Sequence, residues 1–243
     1  GMKARMLICA IGIAGLFCTP GTLRAQSVGT DNRPGTGPGT GPGGGGLPAT
    51  IPIFPLQDAT LFPNASHAFH IFEPRYRAMV ADALKGDRII GMVMLQPGYE
   101  ANYEGRPPVF PIGCAGLITD YEELPGGEYH ILLGGVVKFR VTGEDNSRPY
   151  RLARVVAVPE VLDAQETITL SKQRLRLEDL VLALFDRIGI ELPPGASDKQ
   201  AVDTLSQYLP LDPVSRQQLL ERDDPLSRAV VLTTLLEKVT KIP

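Results

Sequence analysis

The stretch Ile51-Pro-Ile-Phe-Pro-Leu56 decides how the rest of this 243-residue chain is interpreted. Its apolar residues are interrupted by two prolines, which cannot donate a ladder hydrogen bond, so the pattern predicts an edge or bulged strand. Two more short stretches follow it, His70-Ile-Phe-Glu-Pro-Arg-Tyr76 and Pro111-Ile-Gly-Cys-Ala-Gly116. Each combines strand-forming residues with proline or glycine, which indicates a lobe built from bent strands.

Residues 47–160 continue this strand pattern and contain one helix. Glu73-Pro74 predicts the helix start, because a proline at the first helical position loses no hydrogen bond, and Gly86 predicts its end. Pro125-Gly126-Gly127 predicts a turn, and Gly134-Gly135 predicts a bulge or bend. The predicted strands are 51–56, 67–72, 89–95, 112–119, 129–133, 136–141 and 152–158.

From residue 161 to residue 243 the apolar period becomes that of helices. One long amphipathic element should end near Gly189, and Ser197-Asp-Lys-Gln200 is a capping box for the next helix. Asp212-Pro213 and Asp224-Pro225 each place a capping acid before a first-turn proline. The predicted fold class is therefore α+β: a pseudo-barrel-like lobe of bent antiparallel strands with one helix, followed by a C-terminal helical bundle.

The first 46 residues have the pattern of a targeting segment and a linker. Lys3 and Arg5 precede the apolar run from Met6 to Cys18, which is too short to span a bilayer, and Ala25 offers a cleavage site. Residues 1–25 are thus predicted to be a signal peptide of an exported protein, with no membrane span after cleavage. The alternative is a mis-assigned start before a cytoplasmic protein. Residues 26–46, rich in Gly, Pro and Thr, predict a disordered linker.

Taken in order, these stretches resemble the N-terminal substrate-binding domain of the Lon protease family. Tyr129–Arg140 and Tyr150–Val155 extend the resemblance to roughly residues 48–241. In that family this domain recognises polypeptides and cuts nothing, while separate modules carry the ATPase and Ser-Lys protease activities. The resemblance implies structural roles for the motif residues His70, Glu73, Pro74, Arg75, Tyr76, Gly113, Cys114 and Gly116.

Neither of those enzymatic modules is expected in this chain. The sequence has no Gly-x4-Gly-Lys-Ser/Thr nucleotide loop. Its adjacent Ser171-Lys172 pair falls on a predicted helix, where neighbouring side chains point about 100° apart. A hydrolase using Cys114 is the alternative, but the apolar surroundings of Cys114 favour a buried structural thiol. We therefore predict a domain without catalysis and without cofactors.

Metal and nucleic-acid sites are also not expected. His67, His70 and Glu73 are spaced by three, which on a strand places neighbouring members on opposite faces, and His70 is expected to hydrogen-bond a backbone group. The formal net charge of −3 and the absence of long Lys or Arg runs argue against a nucleic-acid surface.

A binding module needs accessible apolar surface, and aromatic side chains provide rigid contact area. The predicted partners are unfolded or partly unfolded polypeptides, with a separate protease or an envelope complex left open as a further partner. A purely structural role in such a complex is a third alternative. The predicted binding residues, which could instead simply cover the core, are Phe54, Phe62, Tyr99, Tyr103 and Phe110.

Overall fold

The computed structural model describes residues 46–99, 105–184, 190, 192 and 194–240. The predicted signal peptide and all of the predicted linker except Gly46 lie outside these residues. Within them, six strands and five helices confirm the α+β fold class. In chain order the elements are β1 Thr50–Leu56, β2 Ser66–Ile71, α1 Pro74–Lys85, β3 Ile89–Met94, β4 Ile112–Leu124, β5 Glu128–Asp145, β6 Arg151–Val158, α2 Ala164–Leu184, α3 Asp198–Tyr208, α4 Pro213–Leu220 and α5 Pro225–Thr240.

The strands form a sheet that closes on itself. Their order is β2-β5-β4-β3-β1-β6, and β5 pairs with β6 as well. Residues 129–134 of β5 pair with β2, whereas residues 138–145 pair with β6. The five strands other than β2 therefore make a small barrel, and β2 extends the sheet as an edge strand.

The prediction that β1 is an edge or bulged strand is wrong, because β1 lies between β3 and β6. Its first half pairs antiparallel with β6, and its second half pairs parallel with β3. Pro52 is in register with Leu152 of β6, and Pro55 with Val93 of β3. Each proline thus has a partner residue on one neighbouring strand, Pro52 on β6 and Pro55 on β3. Both prolines are therefore accommodated inside the sheet. The β1–β3 pairing is also the exception to the predicted antiparallel order.

The predicted bulge near Gly134-Gly135 is present, but it lies within one continuous strand rather than between two. Ala115 pairs with Val137 and Gly116 with Gly135, so Val136 is the extra residue of β5. Gly135 is required there, since an added Cβ would lie 1.9 Å from the carbonyl oxygen of Phe62. The predicted turn is confirmed by a 3.0 Å bond from the Gly127 amide to the Leu124 carbonyl.

Two apolar clusters form the core. The smaller cluster draws side chains from β1, β3, β4, β5 and β6, and so fills the barrel interior; it consists of Ile51, Ile53, Val93, Ala115, Phe139, Ala153 and Val155. The larger cluster runs from the other face of the barrel strands, through Tyr76 and Met79 of α1, to Leu177 of α2 and Leu232 of α5. The described residues belong to one compact unit.

The predicted helix starts are confirmed, and side-chain capping contacts mark those of α3, α4 and α5. Helix α1 begins at Pro74 and is followed by Gly86. Ser197 and Gln200 make both bonds of the predicted capping box, at 3.2 and 2.9 Å. Asp212 accepts from the Ser215 amide and Asp224 from the Ser227 amide. None of the helices in the described residues combines the length and hydropathy that a membrane crossing requires.

Candidate functional site

Two of the predicted binding aromatics, Phe54 and Phe62, are buried in the core. Phe54 packs edge-on against Tyr76, with ring centroids 4.6 Å apart. Phe62 lies under the Arg228 guanidinium, and its backbone amide donates to the Gln207 side chain at 3.0 Å. The prediction that these two residues offer accessible surface is therefore wrong, because both are packed inside the larger core cluster.

Tyr99 and Phe110 lie closer to the surface, as predicted. Tyr99 is 46% exposed, and Phe110 is half-buried, with its amide donating to the Met94 carbonyl at 2.8 Å. Tyr103 lies outside the described residues. A binding role for Tyr99 and Phe110 stays a prediction, but the structure places Tyr99 at a cleft.

This cleft, called here the Tyr99 cleft, has a volume of about 180 Å³. It opens where the parallel strands β1 and β3 end, because parallel pairing brings their carboxyl ends to the same edge. The Leu95 amide donates to the Leu56 carbonyl at 2.9 Å and holds the two ends together. The lining residues are Gln57, Met94, Leu95, Gln96, Pro97, Tyr99, Pro213 and Val214.

Helix α4 supplies the wall opposite the strands. Asp212 caps this helix, so Pro213 and Val214 stand in its first turn. Gln217 of the same helix donates to the Ile112 carbonyl of β4 at 3.0 Å, which fixes α4 against the barrel. The sequence predicted the helix start but gave no sign that it faces the ends of β1 and β3.

The lining of the Tyr99 cleft is uncharged and mainly apolar. None of its eight described lining residues is an Asp, Glu, His, Cys, Lys or Arg. Gln96 is held by a 3.1 Å bond from its side-chain nitrogen to the Val109 carbonyl. Pro97, Tyr99 and Val214 are exposed at the rim. This arrangement suits contact with apolar side chains and peptide groups, and supplies no nucleophile or charged acid–base pair.

A second, more polar cleft of about 330 Å³ is lined by Arg75, Tyr76, Gly105, Arg106, Pro149, Tyr150 and Arg151. Its charged lining residues are three arginines, and each pairs with a carboxylate beside the cleft. Arg151 forms a fork with Glu144 and donates to the Pro107 carbonyl at 2.8 Å. Arg106 lies 3.8 Å from Glu144. These contacts hold the chain at residues 106–107 against the barrel.

Four charged side chains meet where the barrel joins the helices; we call them the charged junction. They are Lys138 of β5, Glu160 of the connecting segment, Asp203 of α3 and Arg228 of α5. Arg228 binds both Glu160 and Asp203, and the Lys138 ammonium lies 2.9 Å from Glu160. Asn64 donates to the second oxygen of Asp203 at 2.8 Å. This cluster was not predicted from the sequence.

Burial and ion pairing shift the pKa values of the two carboxylates in the charged junction in opposite directions. Burial raises the pKa of Asp203 to about 6, against the opposing effects of Arg228 and Asn64. Burial also raises the pKa of Glu160, but Arg228 and Lys138 outweigh it, and the net pKa of Glu160 is lowered. Burial lowers the pKa of Lys138. The two acids share Arg228 but differ because Lys138 supports Glu160.

The family-motif residues His70, Glu73, Pro74, Arg75 and Tyr76 have structural contacts. His70 bonds the Glu128 carboxylate at 2.6 Å, so the predicted backbone partner is wrong. Glu73 pairs with Arg75 at 3.0 Å, and the Arg75 guanidinium lies over the Tyr76 ring. No three His, Cys, Asp or Glu side chains within the described segments are placed to hold a metal ion.

Gly113, Cys114 and Gly116 lie in β4 where it packs tightly. A Cβ on Gly113 would stand 2.3 Å from the Met92 carbonyl oxygen. Cys114 is buried, and burial raises the pKa of its thiol, which is the opposite of what a nucleophile needs. The alternative of a Cys114-dependent hydrolase is therefore not supported. In the Ser171-Lys172 pair, the Ser171 hydroxyl is hydrogen-bonded to the Asp198 carboxylate and the Thr167 carbonyl.

Comparison with solved structures assigns the class of this fold. It matches the N-terminal domain of the Mycobacterium avium complex Lon protease with a TM-score of 0.60 and 17% identity, covering 77% of this chain and 98% of that one. A Lon N-terminal domain protein from Xanthomonas campestris matches with a TM-score of 0.52 and 22% identity, covering 80% and 99%. The chain thus has the fold of a Lon N-terminal domain.

Residues 50–238 match the family described as the ATP-dependent protease La (LON) substrate-binding domain, and the chain belongs to that family. The Lon protease of Trichlorobacter lovleyi is 24% identical over 200 residues, which is 79% of this chain and 24% of that protein. Lon protease 2 of Syntrophobacter fumaroxidans is 25% identical over 180 residues, or 72% and 23%. The chain spans about a quarter of the length of these relatives.

Proposed function

We propose that this chain is a non-catalytic polypeptide-binding module that captures unfolded or partly unfolded chains in the Tyr99 cleft and can serve as an adaptor. The family description, a substrate-binding domain, supports the class of function. The observation that carries the assignment to this cleft is its uncharged and mainly apolar lining with an exposed aromatic rim. Unfolded polypeptides differ from folded ones in exposing apolar side chains, which is what such a surface recognises.

The size of the cleft favours anchoring a chain over enclosing a small molecule. Small-molecule pockets commonly measure about 300–1,000 Å³, whereas the Tyr99 cleft has about 180 Å³. That volume suits a single apolar side chain, with the rest of the polypeptide lying across the rim. Gln57, exposed at the end of β1, offers an amide to the backbone of the bound segment. Such a site is weak and tolerant of sequence.

The test is a matched pair of tyrosine substitutions. Tyr99→Ser should weaken binding of a fluorescently labelled, reduced and unfolded protein by about tenfold, as expected for loss of an aromatic anchor. Tyr121→Ser is the control, because Tyr121 is 45% exposed, close to the 46% of Tyr99, but lies on β4 outside the cleft. Fluorescence anisotropy measures both affinities, and circular dichroism checks folding.

Moderate salt should leave the affinity nearly unchanged, since apolar burial is screened far less than surface charge pairing. Equal affinities of the two tyrosine variants would place the binding surface elsewhere. If the wild-type protein bound no unfolded chain at all, the polypeptide-binding function would be rejected and a structural role in a larger complex would replace it.

We further propose that the protein is exported and processed after Ala25. The support is the sequence pattern of Lys3, Arg5 and the apolar run from Met6 to Cys18. N-terminal sequencing of the protein from its native host should then begin at Gln26. An intact Met2 in the main cellular form, or a main pool in the cytoplasm, would contradict export.

A further inference from the structure

Helix α2 carries a stripe of exposed apolar side chains that the polypeptide site does not use. The stripe consists of Ile168, Leu175 and Leu182, which are 53%, 62% and 69% exposed. They are spaced by seven residues, so around the helix axis each side chain points only about 20° away from the previous one. Three large aliphatic side chains thus stand in line along one face of a 21-residue helix.

The stripe points away from the protein's own core. Leu177, two residues after Leu175, is directed about 200° from it around the helix and is fully buried. Leu170 is buried on the same inner side, where α2 packs against α5 and α3. The helix therefore has two apolar faces, and the one that carries the stripe has the seven-residue spacing of a helix–helix seam.

Charged residues of opposite sign flank the two halves of the stripe. Lys172 and Asp179 follow Ile168 and Leu175 by four residues, and both are exposed. Among the described residues, neither takes part in an ion pair. Nearby charges are already engaged: Arg174 binds Glu178 and Asp198, and Arg176 binds Glu237. Lys172 and Asp179 thus remain for a partner helix that covers the stripe.

We propose that this face of α2 binds the same face of a second copy of the chain, with the two helices antiparallel. A two-fold axis at Leu175 places Ile168 of each copy opposite Leu182 of the other. The same symmetry places Lys172 of each copy beside Asp179 of the other, so that two ion pairs form. A parallel arrangement would instead bring Lys172 against Lys172. The surface is therefore complementary to itself in one orientation.

The dimer should be weak and concentration-dependent. A helix of 21 residues is about 30 Å long, and three side chains with their neighbours cover less than the roughly 1,600 Å² of a standard stable interface. Dissociation constants in the micromolar range, on the order of 1–100 μM, are expected for such contacts. The association joins two Tyr99 clefts in one particle but does not depend on polypeptide binding.

Sedimentation equilibrium of the full chain over a range of concentrations tests the proposal. The wild type should show a monomer–dimer equilibrium, and Leu175→Glu should weaken it by about a hundredfold, because two like charges would meet on the axis. Val230→Glu is the control, since Val230 is an exposed apolar residue of another helix, α5. A monomeric wild type, or a Leu175→Glu variant that associates as strongly as the wild type, would overturn the proposal.

Charge exchange tests the orientation without altering the apolar stripe. Lys172→Glu alone should weaken association by about tenfold, and so should Asp179→Lys, because each replaces two attractions by two repulsions. The double variant Lys172→Glu/Asp179→Lys should recover the wild-type constant, since the pairs are restored with their signs exchanged. Failure of the double variant to recover would reject the antiparallel pairing.

Discussion

Lys138 and Phe139 are neighbours on β5, yet one is buried among charged side chains and the other among apolar ones. Phe139 points into the barrel, where it packs among aliphatic side chains from five strands. Lys138 points out of the barrel into the charged junction, where it is just as buried but meets Glu160. Strand alternation assigns the two side chains to opposite faces, and the larger fold makes both faces interior.

The barrel interior and the charged junction should differ in how well they tolerate substitution. The barrel interior is stabilised by apolar burial, which is non-directional and proportional to area. The charged junction is stabilised by particular pairs, and removal of one partner leaves another charge buried without compensation. The barrel should therefore respond gradually to substitution, and the junction abruptly.

The largest expected effect comes from Arg228→Ala. Arg228 is buried and binds both Glu160 and Asp203, so its loss leaves two buried carboxylates with fewer partners. The free energy of unfolding should fall by about 4 kcal/mol, as for other broken buried pairs. Urea denaturation followed by circular dichroism measures the change.

Arg176→Ala is the control for that substitution. Arg176 pairs with Glu237 on the surface and is 60% exposed, so the control should cost less than about 1 kcal/mol. If the two arginine variants were equally stable, the contrast between buried junction and surface pair would be refuted.

A smaller effect, with a defined sign, should appear in the pH dependence of stability. The pKa of Asp203 is raised by burial from 3.8 to about 6, so the folded protein holds this proton more tightly than the unfolded chain does. Stability contributed by this group is therefore greatest at low pH and is lost as the pH rises from about 4 to about 6. Two pKa units correspond to about 2.7 kcal/mol.

The variant Asp203→Asn isolates this contribution, since Asn cannot ionise. Glu160, whose lowered pKa acts in the opposite direction, is present in both proteins. The stability of the wild type relative to Asp203→Asn should decrease between pH 4 and pH 6 and remain level above pH 7. A relative stability that is flat, or that rises with pH, would show that Arg228 and Asn64 dominate over burial.

The sequence predicted the elements whose signals are local. The caps Ser197, Asp212 and Asp224 each bond a backbone amide three residues further on, and Pro74 stands at the first position of its helix, so local residue types suffice. The position of β1 could not be predicted, because its ladder partners lie about 40 and 100 residues further along the chain. Proline indicated limited pairing but not which side would be paired.

The proposed binding surface divides in the same way. Tyr99 was predicted from its residue type and loop position, and its exposure is confirmed, whereas Phe54 and Phe62 carried the same signal and are buried. Aromatic residues serve cores and surfaces equally, so type alone cannot separate them. The residues of the charged junction lie far apart in the sequence, and only the ion pairs of the folded chain, through Glu160 and Arg228, bring them together.

The smallest expected effect concerns the barrel, and it tests whether that interior adapts as an apolar core should. An ideal Cβ on Gly91 would meet the Phe139 ring at 2.7 Å and the Ile51 side chain at 2.8 Å. Both contacts are side-chain ends that can yield. Gly91→Ala should therefore destabilise less in a Phe139→Leu background than in the wild type, with a coupling of about 1 kcal/mol in a double-mutant cycle. Urea denaturation of the four proteins measures it.

Gly113→Ala is the matched control for this cycle. Its added Cβ would also meet the Phe139 ring, at 2.8 Å, but it would stand 2.3 Å from the Met92 backbone carbonyl oxygen as well. Removing the ring cannot relieve a clash with backbone, so Phe139→Leu should rescue Gly91→Ala and not Gly113→Ala. Equal rescue of both glycine variants would mean that the β3–β4 backbone yields with the side chains. The shape of the barrel would then be determined by side-chain packing rather than by the backbone hydrogen bonds between its strands.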